Sequence, residues 1–354
     1  MSDTTAGIAK PSLWRIYLPA SLRRAALAVL LALACTGLLI VFSGKDPLVA
    51  FRAMLMGAFG SPDRIAVGLN KATPYILTGL GIALCFRAKI INIGGEGQIA
   101  IGGLCASWAG IMLPAGHPVV AIGSALLASI LGGMAWAGLA ATIHVGRRVH
   151  EVLVTLLLNF IALLIVGAAL HGSLGEDGAG FPQSPLLPPE YWLPKLLKGT
   201  QLHYGVLLAA LLAIVVHVFL WHTRFGFALR VFGSSRPAAL YAGFSPATTT
   251  YTVMLLAGGL AGLAGGIEVL GIHYRLIEGF SNGFGFNAVA IALLGALNPL
   301  AVIPAGLFFG FLETGALAMQ RQVGVPSSLV VVIQGLTMLF VLAAMASAGR
   351  KPRS

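Results

Sequence analysis

Apolar runs, most of them about 20 residues and so long enough as a helix to cross the hydrocarbon core of a bilayer, recur through this chain. They fall near 25–43, 65–86, 90–113, 119–143, 152–172, 204–222, 248–270, 285–297, 300–318 and 328–347. Of the 354 residues 58% are hydrophobic and 9% charged, against roughly 25% charged in a soluble domain. No stretch is left for a soluble catalytic domain. The fold class expected is an all-α integral membrane protein of about ten transmembrane helices. The pieces at 285–297 and 300–318, split by Asn298-Pro299, read as two short helices or one broken one.

Lys10, Arg15, Arg23 and Arg24 precede the first apolar run, which is too long for a signal-peptide core and has no small-residue cleavage site after it. It reads as a retained span. Alternating the spans from a cytoplasmic N-terminus puts 14 basic residues inside and 7 outside, with Lys71 inside a span. That bias places both termini in the cytoplasm. The organisation expected is a cytoplasmic segment 1–24, a transmembrane unit 25–348 and a cytoplasmic tail 349–354. The net charge of +11 is scattered between apolar runs, which fits orientation in the membrane and not a nucleic-acid patch. The Pro- and Gly-rich outside loop 173–203 is neither a span nor a regular helix. It reads as a docking surface or a plain connector.

Polar groups at membrane depth carry the functional signal, since an ionised side chain there faces a cavity or a partner. Glu96, Glu268 and Glu313 are the candidates within spans, while Glu151 stands at a span entrance as an N-terminal carboxylate. In INIGGEGQIAIGG, 91–103, Gly94, Gly95 and Gly97 flank Glu96, with amides at Asn92 and Gln98. Such glycines allow a break or a close backbone approach, and irregular backbone at this depth is tolerated only against protein or water. The segment reads as a discontinuous helix start beside an internal path. The competing reading is packing glycines, with Glu96 paired to Lys71 or Lys89. In HEVLVTLLLNFIA, 150–162, Asn159 is a mid-span amide one turn beyond Thr155. The stretch 278–299 repeats the theme of glycines, an amide and an apolar helix, which makes Phe286 and Asn287 path candidates and suggests a weak internal repeat.

Other chemistries lack their motifs. Residues 95–100 fit G-x-G-x-x-A, but apolar spans and not a βαβ unit surround them. There is no Walker A loop and no G-x-S-x-G elbow, and the histidines and three cysteines form no metal-ligand spacing. Metal is expected nowhere. Between the sixth and seventh spans, Ser235 can cap a short helix with Pro237 in its first turn and Gly243 as its stop, with Arg224, Arg230 and Arg236 facing the cytoplasm. It reads either as an interfacial helix on anionic lipid or as a knob for a soluble partner.

Four stretches, INIGGEGQIAIGG, HEVLVTLLLNFIA, TRFGFALRVFGSSRPAALYAGFS (223–245) and GFGFNAVAIALLGALNPLAVIPAG (283–306), together resemble the permease subunit of bacterial ABC importers. The class is that serving ribose, branched-chain amino acids and, most closely, nucleosides. His150 stands where relatives often carry Asn. The resemblance implies a multi-pass protein of the bacterial cytoplasmic (inner) membrane. It implies broken helices near the midplane and a coupling segment 223–247 against a separate ATPase subunit. Arg224, Gly226, Arg230, Ser235, Arg236, Pro237, Ala238, Ala239, Tyr241 and Gly243 are the residues so assigned. ATP-Mg would then be held by that partner, with no cofactor in this chain. A second permease chain, an extracytoplasmic substrate-binding protein and membrane lipid complete the expected partners; nucleic acid is not among them. The rival is an ion-coupled secondary transporter or channel with Glu96 as its ion site.

Overall fold

One local device starts six of the helices: a side chain that caps the first turn, followed by proline. Asp46, Ser61, His117, Ser235, Ser245 and Asn298 each accept a backbone N–H from the turn that follows. Proline in the first turn costs nothing, because its missing N–H would have no partner within the helix there. His150, with Nδ1 accepting from Val152 N–H, caps its helix in the same way.

A computed structural model describes residues 20–114 and 116–348. The expected cytoplasmic segment up to residue 19 and the tail 349–354 lie outside the described residues. Thirteen α-helices are described: α1 (Ala20–Phe42), α2 (Pro47–Phe59), α3 (Pro62–Arg87), α4 (Gly95–Met112), α5 (Pro118–Arg147), α6 (Glu151–Leu170), α7 (Gly205–His222), α8 (Arg224–Ser234), α9 (Arg236–Tyr241), α10 (Pro246–Glu268), α11 (Phe284–Leu294), α12 (Pro299–Val323) and α13 (Ser327–Ala348). A π-helical turn, Val269–His273, prolongs α10. Extended pairing among the described residues is limited to two bridges, Gln183 with Ile277 and Lys195 with His203. Among the described residues, five helices are long and apolar enough to cross a membrane: α5, α6, α7, α10 with its π turn, and α12.

Two segments depart from the sequence expectation. Helix α2 was not anticipated: Arg52 interrupts its apolar run, and 13 residues rise only about 20 Å, short of a crossing. Residues 285–297 and 300–318 fall in two separate helices, of which only the first is short: the 11-residue α11 is followed by the 25-residue α12, with Ala296 and Leu297 between them both at positive φ.

Helix α10 is the centre of the bundle: 89% of its apolar window is buried, against 22% in α5 and 28% in α7. Glycine makes this possible. A Cβ at Gly258 or Gly262 would strike the backbone of α5, and one at Gly102 of α4 would strike Gly262. Where lipid is as apolar as any side chain, helices associate by such close backbone contact.

The two ends of the bundle differ. At one, Arg87 Nε donates to the Leu297 carbonyl (3.0 Å), and Gly233 of α8 packs against the Arg87 backbone. At the other, loop 173–203 has a single 3-10 turn, Pro189–Tyr191, and is stitched by backbone hydrogen bonds to the stretch after α10. Ser184 N–H donates to Leu276 O (2.8 Å), Leu187 N–H to Tyr274 O (2.9 Å) and Leu193 N–H to Leu270 O (2.9 Å). Of the loop aromatics, Tyr191 is fully buried and Trp192 stacks on Tyr274 at 4.5 Å.

Candidate functional site

The chain leaves α3 at Ala88, passes through residues 90–93 without regular structure and starts α4 at Gly95, so the first amides of α4 need outside partners. Asn92 and helix α6 provide them. Asn92 Oδ1 accepts from Gly94 N–H (2.8 Å) and Gln98 Nε2 (3.3 Å), and Asn159 Oδ1 accepts from Gly97 N–H (2.8 Å). Asn159 Nδ2 donates to Ile93 O (2.8 Å), while Thr155 Oγ1 accepts from Ile93 N–H (3.3 Å). Thr155 and Asn159 are four residues apart and so share one face of α6. All of these side chains are buried.

Glu96 looks the other way. Its carboxylate accepts from Gly283 N–H (3.0 Å) and Gly285 N–H (2.7 Å), at the start of α11. One anion therefore stands in the first turn of α4 and against the first amides of α11, where both helix dipoles are positive. Gly283 takes φ +77°, and a Cβ at Gly285 would collide with the Glu96 backbone. Neither Lys71 nor Lys89 pairs with Glu96; Lys71 is bound elsewhere. The two glycine-rich segments that suggested a repeat meet here.

Lys71 Nζ lies 2.6 Å from Glu313 Oε1, and Tyr75 OH donates to Glu313 Oε2 at 2.7 Å. Lys71 and Tyr75, one turn apart on α3, thus clasp a single carboxylate of α12. Asn282 Nδ2 donates to Glu313 Oε1 (3.4 Å) and Asn287 Nδ2 to Tyr75 OH (3.2 Å), so the network continues to the start of α11. Phe284 packs edge-on to Tyr75 at 5.0 Å. A buried ion pair is stable when further hydrogen bonds satisfy its remaining lone pairs, as they do here.

Beside this network lies a cavity of about 480 Å³, within the roughly 300–1,000 Å³ typical of small-ligand sites. Lys71, Glu268, His273, Tyr274, Asn282 and Phe284 are among its lining residues. None of the nine path candidates, Asn92, Gly94, Gly95, Glu96, Gly97, Gln98, Asn159, Phe286 and Asn287, lines it. Phe286 is 38% exposed on the far side of α11's first turn, and Asn287 is half-buried against Tyr75. The cavity and the network beside it were partly legible, since Glu268 of the lining and Glu313 of the network stood out as in-span acids. Tyr75 and Asn282 carried no signal of their own.

At the Arg87 end, α8 folds back on α7: a Cβ at Gly226 would strike the Phe219 and Leu220 carbonyls. Ser235 Oγ accepts from Ala238 N–H (3.4 Å), Pro237 occupies the first turn of α9, and Gly243 ends it at φ +83°. Ala239 is fully buried, whereas Arg236, Pro237, Ala238 and Tyr241 are exposed, Tyr241 at 98%. Arg224 is exposed as expected. Arg230, expected at the surface, is half-buried with its guanidinium over Trp221 at 4.6 Å.

Residues 64–342 match the model of the family described as "Branched-chain amino acid transport system / permease component". The chain is 33% identical over 320 residues to the guanosine ABC transporter permease protein NupP of Bacillus subtilis, covering 89% of this chain and 91% of that protein. It is 35% identical over 328 residues to the glucose ABC transporter permease protein TsgB13 of Haloferax volcanii, covering 89% and 86%. It is 26% identical over 307 residues to the nucleoside ABC transporter permease protein NupB of Lactococcus lactis, covering 84% of each. No solved structure matches the chain. With a multi-pass helical fold and a family match across most of its length, the chain belongs to the branched-chain amino acid transport system permease family, the permease class of ABC transporters.

Proposed function

We propose that the chain is the membrane subunit of an ATP-driven importer that carries nucleosides across the bacterial cytoplasmic (inner) membrane. It crosses about ten times between residues 25 and 348, with both termini cytoplasmic. Helices α8 and α9 contact a separate ATPase subunit that binds ATP-Mg; this chain holds no cofactor. A second permease chain completes the pore, an extracytoplasmic substrate-binding protein delivers the solute, and membrane lipid covers the remaining face.

The observation that carries this reading is α9. Its single buried residue, Ala239, anchors a six-residue helix whose other residues are exposed, Tyr241 at 98%, with the Arg236 guanidinium lying over the Phe232 ring at 5.5 Å. A capped helix with an aromatic and an arginine on its free surface has the chemistry of an interface anchor. The solute follows from the relatives: guanosine and glucose, named in two of them, are neutral and rich in hydroxyls. Amides and buried carboxylates suit such a solute better than they suit an ion.

Closure of the ATPase dimer on ATP pulls α9, and the permease pair rocks between outward-open and inward-open states. The path runs beside the Glu96 junction, where α4 and α11 begin, so movement of one helix start against the other changes its width. Asn92, Gln98, Asn159, Phe286 and Asn287 border it there, with Glu96 and its glycines holding the two starts together. Copurification with an ATPase subunit, then nucleoside-dependent ATP hydrolysis in liposomes with the binding protein, tests the proposal. Failure to recover any nucleotide-hydrolysing partner refutes it, as does ATP hydrolysis that nucleosides leave unchanged.

A further inference from the structure

Glu268 is 4% exposed and, among the described residues, accepts no hydrogen bond. The nearest basic group is His273 Nε2, at 3.8 Å from Oε2, too far for a hydrogen bond. What exposure it has opens into the 480 Å³ cavity, which it lines. A buried carboxylate costs free energy unless donors reach its oxygens, so an acceptor left open on a cavity wall marks where a ligand's donors go. The π turn Val269–His273 builds this wall: its wider coil brings residues five apart onto one side, which sets His273 over Glu268. Among the described residues, neither the other in-span acid, Glu313, nor Glu96 is open in this way, since both have donors from the protein.

Resting on the nucleoside reading above, we infer that Glu268 is the acceptor for the vicinal ribose hydroxyls of the transported solute, and that the cavity selects neutral ribosyl compounds. Two hydroxyls on adjacent ring carbons can donate one to each oxygen of a single carboxylate. Phe284, Tyr274 and Asn282 line the same cavity and supply the aromatic and amide groups that a base would meet there. The lining disfavours phosphate esters: its one lysine, Lys71, is already paired with Glu313, and Glu268 and Glu278 add only carboxyl groups.

The test is uptake of a ribonucleoside and of its 2′-deoxy counterpart by the whole transporter, in wild type and in Glu268→Gln. Both proteins share one binding protein, so its preference cancels in the comparison. Hydrogen bonds to a charged group are worth about 1.5–3 kcal/mol, so Glu268→Gln is expected to cut ribonucleoside uptake roughly 10- to 100-fold. The 2′-deoxynucleoside keeps only its 3′-hydroxyl, which the remaining oxygen of glutamine still accepts, so its uptake should fall by about tenfold at most and by less than that of the ribonucleoside. Glu268→Asp, which keeps a carboxylate, retains the preference for the ribonucleoside and controls for loss of folding. Equal effects of Glu268→Gln on both solutes at normal membrane levels overturn the inference, as does a Glu268→Asp protein without the preference. If wild type takes up no nucleoside but does take up glucose or ribose, the nucleoside reading falls by itself. The role of Glu268 as a diol acceptor then stands if Glu268→Gln suppresses sugar uptake by the same factor, and falls if it does not.

Discussion

Replacing Glu96 by glutamine removes one charge and one acceptor from a place where two helices begin. The carboxylate receives amides from Gly283 and Gly285 at 3.0 and 2.7 Å and is 3% exposed. Glutamine keeps one oxygen and turns an NH₂ group toward the other amide. Leaving that buried N–H without an acceptor costs about 1–3 kcal/mol. Loss of the anion beside two helix N-termini adds up to about 2 kcal/mol. Release from the desolvation cost of a buried ion works in the opposite direction, and the net expected is roughly 2–4 kcal/mol of destabilisation. Because unfolding of such proteins is commonly irreversible, the quantity to measure is the fraction that remains monodisperse in detergent after graded heating. Glu96→Gln should lose this fraction at a lower temperature than wild type. Glu96→Ala should fall further, and Gln98→Ala, whose amide makes one long bond within its own segment, should fall least. If Glu96→Gln survives heating as wild type does, the carboxylate is not what holds the start of α11.

The Lys71–Glu313 pair gives a second expectation. Removing one partner leaves the other charge buried, so Lys71→Met or Glu313→Leu should each destabilise by about 3–5 kcal/mol. The double replacement should recover much of the loss, as measured by the same heating series; additive losses would contradict the pairing. His203 gives a third. It lies outside the spans, is fully buried, accepts Gly205 N–H through Nδ1 (3.1 Å), and burial pushes its imidazole down to about 4. The unfolded chain takes up the proton near pH 6.5 and the folded chain only near 4, so this contribution is constant above about pH 7 and is lost as pH falls through that window. The loss amounts to roughly 3 kcal/mol. His203→Asn should flatten the acid limb of heat stability between pH 6.5 and 4, and an unchanged limb would assign it to other groups.

What was legible in the sequence was what depends on neighbours in the chain. Long apolar runs located the major spans, and Ser235, Pro237 and Gly243 fixed α9 because capping acts within one turn. Helix α2 had its own local signals, Asp46-Pro47 before it and Ser61-Pro62 after it, but a hydropathy criterion tuned to full crossings passes over 13 residues that include Arg52. The partner of Glu96 was out of reach for a different reason. Its bonds go to amides nearly two hundred residues away, and an amide has no sequence identity by which to be found. Lys71 was a reasonable partner by charge, yet Glu313 was equally qualified, and only the packing of α3 on α12 decides between them.

The stitching of loop 173–203 onto the stretch after α10 has a mechanical consequence. Main-chain bonds at Ser184, Leu187 and Leu193 tie the loop to residues 270–276, and seven positions beyond Leu276 the same strand of chain delivers Gly283 to the Glu96 carboxylate. A body that pushes on that loop from without therefore has a short tether, made of covalent chain and few slack joints, leading to the clasp at the heart of the bundle. The loop cannot swing aside by itself: either its ladder of bonds parts, or the cord drawn taut beneath it carries the displacement inward.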